Sequence, residues 1–254
     1  MKGMRIVDLG LLLDDQTLVI ADFHIGYEEA LNKQGVLVPR FQFTDIMERL
    51  AGIFSRLREE GVALARIVVD GDIKHEFGTI SEQEWRETLK ILDFLTQHCS
   101  EVILVKGNHD TILGPIAGKR EVLVVDDYLT ESGVLITHGH RIPGAAALRK
   151  ARAIVIGHEH PAVALRDDVR IERFKCFLCG RWKGKRQVVI PSFCLVTEGT
   201  DVLSEKLLSP FLNDIRNYRV IVPGEAIHER SGKRSPLQSY YPFGTIASML
   251  KRGP

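Results

Sequence analysis

The sequence predicts an α/β fold. Two observations carry the prediction. Over the first two-thirds of the chain, short apolar runs rich in Val and Ile alternate with amphipathic helical patterns. Each apolar run stops in polar residues, as a buried strand does on leaving its sheet. The chain's 254 residues, 44% apolar and 26% charged, suffice for one sizeable core of ordinary globular composition.

The strands come in order as "TLVIADFH" (17–24), "ARIVVDGD" (65–72), "EVILVKGNHD" (101–110), "GVLITHGH" (133–140) and "AIVIGHEH" (153–160). Between them, residues 44–60 place Ile46, Met47, Leu50, Ile53, Phe54 and Leu57 on one helical face. Thr44 reads as its N-cap and Gly61 as its stop. Residues 81–98 follow the same grammar. Ser81 caps, Glu84 completes a capping box, and Trp85, Leu89, Leu92 and Leu95 face inward. After about residue 160 the pattern turns to strands joined by polar turns, with Gly180 and Gly184 in the turns. The expected division is one domain over 1–222 and a tail over 223–254. That tail is rich in Pro, Gly, Ser and charge, and a loose order is expected of it.

No run approaches the roughly 18 apolar residues of a membrane helix. Charge arrives too early at the N-terminus for a signal peptide, so a cytoplasmic location is the default expectation. Four scattered Cys do not make a disulfide scaffold. Cys176 and Cys179 form a CxxC, and an extended strand would point the two thiols to opposite faces. Net charge is +1, but residues 1–169 hold 19 Lys/Arg against 26 Asp/Glu, and residues 170–254 hold 15 against 7. The basic part suits an anionic partner.

All five strands end in metal-ligand chemistry: Asp22 and His24; Asp72; Asn108, His109 and Asp110; His138 and His140; His158 and His160. Ligands of open α/β sheets bind beyond the carboxyl ends of the strands. Imidazole, carboxylate and amide oxygen suit Mn²⁺, Fe or Zn²⁺, and the lack of Cys argues against a structural zinc site. Residues i and i+2 of an extended segment face the same way, so Asp22 pairs with His24 and His158 with His160. Glycines before Asp72, Asn108 and His158 permit close backbone approach.

The series DxH, GD, GNHD, H, GHxH resembles the calcineurin-like metallophosphoesterase superfamily over about residues 4–200. "GDIKHEF" (71–77), "VIADFHIGYEEAL" and "PSFCLVTEGTDV" resemble its SbcD-related branch of small phosphoesterases. The resemblance implies a four-layer α-β-β-α sandwich of two mixed sheets, the second completed by strands after residue 160. It implies two divalent metal ions, Mn in first place, with Fe, Zn, Ni or Co as alternatives. Asp22, His24 and His160 would hold one ion, and Asn108, His138 and His158 the other. Asp72 would bridge them, sharing its two oxygens. The implied reaction is phosphodiester hydrolysis by a water activated between the ions. His109 would stabilise the transition state or protonate the leaving group. Asp110 would orient His109 or cap a turn. His75 stands where many relatives carry Asp, and would touch the substrate phosphate or the leaving group.

The substrate is less legible. A metal-dependent phosphodiesterase leads, with a DNA or RNA nuclease as one form of it; small nucleotides or monoesters come second, and a non-catalytic metal- or nucleic-acid-binding adaptor third. The basic loop Arg181–Arg186 around Trp182 is a possible nucleic-acid contact, or else a hairpin whose Trp packs inward.

Overall fold

The computed structural model describes residues 3–252 other than 79, 111, 112, 114–117, 121, 167–169 and 225–239. The first sheet comprises β1 (Met4–Val7), β2 (Gly10–Leu13), β3 (Thr17–Ile20), β4 (Arg66–Asp70), β5 (Glu101–Val105) and β6 (Leu123–Val125), in that spatial order. β1 to β3 are antiparallel, and β3 to β6 run parallel. The second sheet has the order β16 (Tyr240–Thr245), β15 (Arg219–Pro223), β12 (Phe177–Trp182), β13 (Lys185–Val189), β9 (Ala153–Ile156), β8 (Val134–Ile136), β7 (Tyr128–Leu129). Its centre, β13–β9–β8, is parallel.

Strand alternation explains why the sheets stack. Ile67 and Val69 of β4 face a helix-side core, while Val68 faces a core between the sheets. In β9, Val155 faces that same inter-sheet core, and Ile154 and Ile156 face outward to a third. Both sheets are therefore apolar on two faces, which a four-layer sandwich requires. One outer layer holds α2 (Gln42–Glu59) and α3 (Glu82–Thr96), and α1 (Tyr27–Lys33) precedes them in the chain. The other includes α4 (Ala145–Lys150) and α5 (Ile246–Arg252), which contribute Leu148 and Ile246 to its packing.

Of five local expectations, two hold and three are corrected. Ser81 and Glu84 do form a complete capping box on α3. Thr44, however, lies inside α2, because Glu28 Oε1 accepts from the backbone N–H groups of Phe41 and Gln42 and starts that helix earlier. Not every strand after residue 160 joins the second sheet: β10 (Pro161–Arg166), β11 (Ile171–Lys175) and β14 (Thr200–Asp201) form a small sheet of their own. The loose tail expected over 223–254 does not hold for residues 240–252. β16 pairs with β15, and Ile246 is buried; residues 225–239 lie outside the described part. Cys176 and Cys179 are both free and buried, one in the outer core and one between the sheets.

Candidate metal centre

The parallel strands β3, β4, β5, β8 and β9 all point their carboxyl ends at one rim. The residues that follow them converge there. Asp22, His24 and His160 form one group whose donor atoms lie within 4.8 Å of one another, and Asp72, His138 and His158 form a second. His24 Nε2 and His160 Nε2 are 3.2 Å apart. Asn108 Oδ1 lies 3.1 Å from His138 Nε2, so the amide completes the second group.

Asp72 joins the groups through one oxygen. Its Oδ1 accepts from the His109 backbone N–H at 2.9 Å. Its Oδ2 lies 3.2 Å from His138 Nε2 and 3.8 Å from His24 Nε2. Oδ2 thus faces both groups. The second oxygen is spent on fixing the Asn108–His109 loop.

The backbone is shaped for this convergence. Asp22, His24, Asp72, His158 and His160 all have positive φ, between 47° and 66°. Left-handed backbone costs a non-glycine residue roughly 1–2 kcal/mol, so the strain is concentrated on the donors. Glycine is required at two contacts: a Cβ on Gly71 would collide with the His138 ring, and one on Gly107 with Asp72 Oδ1.

Electrostatics favour cations. Asp22 Oδ1 is buried and has no hydrogen-bond partner. Burial opposes ionisation of Asp22 and Asp72, but neighbouring His160 and His138 outweigh it and hold both carboxyls below their usual range. Burial, reinforced by the charge of His160, pulls His24 down to about 3. Burial and His138 pull His158 to about 4. These two imidazoles are neutral near pH 7, with lone pairs free to bind a metal. Burial also opposes the His138 cation, yet the hydrogen bond and charge of Asp72, with the charge of Asp22, raise it to about 10. A proton on His138 thus stands where a metal charge would serve better. Its Nδ1 faces the Asp70 carbonyl at 3.1 Å, which leaves Nε2 for the ligand position. The orphaned carboxylate oxygen, the free lone pairs and the O/N donor set all fit divalent ions.

The three residues expected to do chemistry divide. His109 Nδ1 hydrogen-bonds the His75 carbonyl, and its Nε2 lies 3.9 Å from Asp72 Oδ2. Asp110 does not orient it. Asp110 is buried, and its oxygens accept from the backbone N–H groups of Ile73 at 3.2 Å and Gly107 at 3.0 Å. It caps the turn and ties two ligand loops together; the acceptor for His109 is a backbone carbonyl instead. Burial and the charge of Asp72 push Asp110 up to about 7. His75 stacks on Tyr27 with ring centroids 4.1 Å apart, and its Nδ1 is 3.4 Å from His24 Nδ1. It therefore supports a donor as well as lining the cleft.

Sequence reasoning missed two features. Glu84, read only as a helix cap, also accepts from the backbone N–H groups of His75 and Glu76, fastening the loop after Asp72. Phe77, 61% exposed, sits with its ring centroid 3.7 Å from that of His109. The basic loop Arg181–Arg186 lies elsewhere. It closes the β12–β13 hairpin at the start of β13, whereas the centre lies past that strand's end. Five residues of strand, roughly 16 Å, intervene. Trp182 packs on Phe211 with centroids 4.8 Å apart, so the inward hairpin is the arrangement found.

A rim of clustered Asp, His and Asn on a stacked double sheet defines a metallophosphoesterase centre. The chain belongs to the calcineurin-like phosphoesterase family, whose model matches residues 16–162. No curated protein matches it in sequence. Among solved structures it is similar to nuclease MPE of Pseudomonas putida, at 20% identity and TM-score 0.58, covering 85% of this chain and 90% of that one. YfcE, a phosphoesterase from E. coli, matches at 14% identity and TM-score 0.39 over 82% and 90% of the two chains. Zinc-bound Vps29 of Entamoeba histolytica matches at 18% identity and TM-score 0.33 over 81% and 84%. Among the described residues, no helix is long and apolar enough to cross a membrane.

Proposed function

We propose that the chain is a divalent-metal-dependent phosphodiesterase acting on nucleic acid. The observation that carries this reading is Asp72 Oδ2, set between two donor groups with His109 on the same side. Asp22, His24 and His160 would hold one ion, Asn108, His138 and His158 the other, with Asp72 common to both. Mn²⁺ is the metal expected, and Fe, Zn, Ni or Co also suit the donors. When bound, the ions supply positive charge for the phosphoryl oxygens and lower the pKa of a water.

The chain's own residues do the rest. The His75 carbonyl accepts the Nδ1 proton of His109, which turns Nε2 to the cleft. From there Nε2 reaches a phosphoryl or leaving oxygen, as donor when protonated. The exposed Phe77 ring covers one face of His109 and limits its swing. A diester, unlike a monoester, carries two arms. A cavity of about 670 Å³ borders the ligand loops at Gly107, Asp110 and His140. Another, of about 510 Å³, opens at the same rim beside Lys175. Room on two sides supports the diester reading.

The test is a panel of bis-p-nitrophenyl phosphate, p-nitrophenyl phosphate, cyclic nucleotide, and labelled DNA and RNA, assayed with Mn²⁺ and with chelator. Diester and nucleic-acid turnover that stops in chelator is the expected result. Exclusive monoester turnover, or undiminished activity in chelator, would refute it.

A further inference from the structure

The cavity beside Lys175 lies where the edges of the two sheets meet. β2 runs antiparallel to β3, so the Asp8–Leu9 turn sits at the same end as Asp22. β12 runs antiparallel to β13, which places Lys175, just before β12, at that end too. β16 begins there, with Tyr241 and Phe243 as a wall. Leu9, Arg49, Arg173 and Lys175 complete the lining used here.

Its charges are unequal in kind. Arg49 is held by Asp8 at 2.7 Å, and Arg173 by Glu205 at 3.0 Å. Lys175 is half-buried, and its Nζ donates to Ser192 Oγ at 2.9 Å. Among the described residues, no carboxylate forms an ion pair with it. Burial drags the ammonium down to about 8. The charges of Asp22 and Glu198 offset this only in part, and a half-buried cation with no carboxylate in contact gains from an anionic ligand. The rings of Tyr241 and Phe243 add planar apolar surface, and Tyr241 is 46% exposed. An anion beside a flat ring is the chemistry of a nucleotide, and the cavity volume is of ligand size.

We propose that this cavity is a nucleotide subsite, with Lys175 receiving a phosphate and Tyr241 and Phe243 receiving a base. In the phosphodiesterase reading, on which its role in catalysis rests, it holds one arm of the substrate. It also relocates the nucleic-acid contact from Arg181–Arg186 to the rim of the metal centre.

Binding is measured in chelator, so that turnover plays no part, on the full chain and on Lys175→Met, Lys175→Arg and Tyr241→Ala. The probes are thymidine 5′-monophosphate, a short oligothymidylate and inorganic phosphate. Lys175→Met should weaken both nucleotide probes tenfold or more, Lys175→Arg should restore part of the loss, and Tyr241→Ala should weaken them several-fold. Tighter oligonucleotide binding marks a strand site; equal binding marks a free-nucleotide site. Inorganic phosphate binding as tightly as the mononucleotide would overturn the base contact. Lys175→Met binding within twofold of wild type would overturn the subsite, whatever the turnover. With Mn²⁺, the kcat/KM ratio of oligonucleotide to bis-p-nitrophenyl phosphate should fall tenfold in Lys175→Met. If no diester is cleaved yet Lys175→Met loses nucleotide binding, the subsite stands and the phosphodiesterase reading falls.

Discussion

Replacing Lys175 by Met should make the protein more stable, and by an amount that depends on pH. Burial lowers the ammonium from 10.5 to about 8 in the folded chain. A Lys whose folded pKa lies below its unfolded one binds fewer protons when folded. Stability therefore rises with pH between about 8 and 10.5, and the penalty is fully present below pH 8. A fall of this size corresponds to about 3 kcal/mol at pH 7. Met keeps most of the side-chain volume but strands the Ser192 hydroxyl, which costs about 1 kcal/mol. The net expectation is a gain of about 2 kcal/mol at pH 7 that shrinks towards pH 10.5. Urea unfolding of both chains at intervals from pH 7 to 10.5, in buffer free of phosphate, measures it. A wild-type curve flat above pH 8, with Lys175→Met no more stable at pH 7, would refute the buried-cation argument.

His109→Ala should keep metal occupancy, read by elemental analysis, and lose about 10²–10⁴ in turnover; unchanged turnover removes the ring from the chemistry. Asp110→Ala should leave the Ile73 and Gly107 N–H groups without their acceptor and cost about 2–4 kcal/mol in urea unfolding. An intact fold with selective loss of rate would instead restore Asp110 as the orienting group of His109. Gly107→Ala should lower metal occupancy, because the new methyl group displaces Asp72 Oδ1; full occupancy would show that the loop yields.

Much of the centre was legible because strand ends are legible. Asp22, Asp72, Asn108, His138 and His158 each follow an apolar run. Parallel pairing of those runs brings them to one rim without any side-chain argument. What stayed hidden depends on contacts across elements. The carbonyls of Asp70 and His75 orient His138 and His109, and a carbonyl has no sequence signature. The start of α2 is set by Glu28 of another helix, so Thr44 misled. Lys175 ends the exposed strand β11 in "IERFKCF", and only the meeting of two sheet edges sets it beside a cavity.

The metal centre and the Lys175 cavity present one physical problem with opposite signs. At the centre, Asp22 and Asp72 are buried carboxylates, and the His138 proton is their nearest counter-charge. The strained backbone at five donors prevents these groups from relaxing apart, since the two packed sheets fix the strand ends. At the cavity, a half-buried ammonium has a hydroxyl and no carboxylate in contact, among the described residues. Neither arrangement would be chosen for stability alone. Divalent cations answer the first and a phosphate answers the second. In the proposed reading, a nucleotide chain with its scissile phosphate at the metal centre and a neighbouring phosphate at Lys175 would answer both at once. In the proposed reading, unsatisfied charge of both signs on one rim would tie a nucleotide substrate to the site.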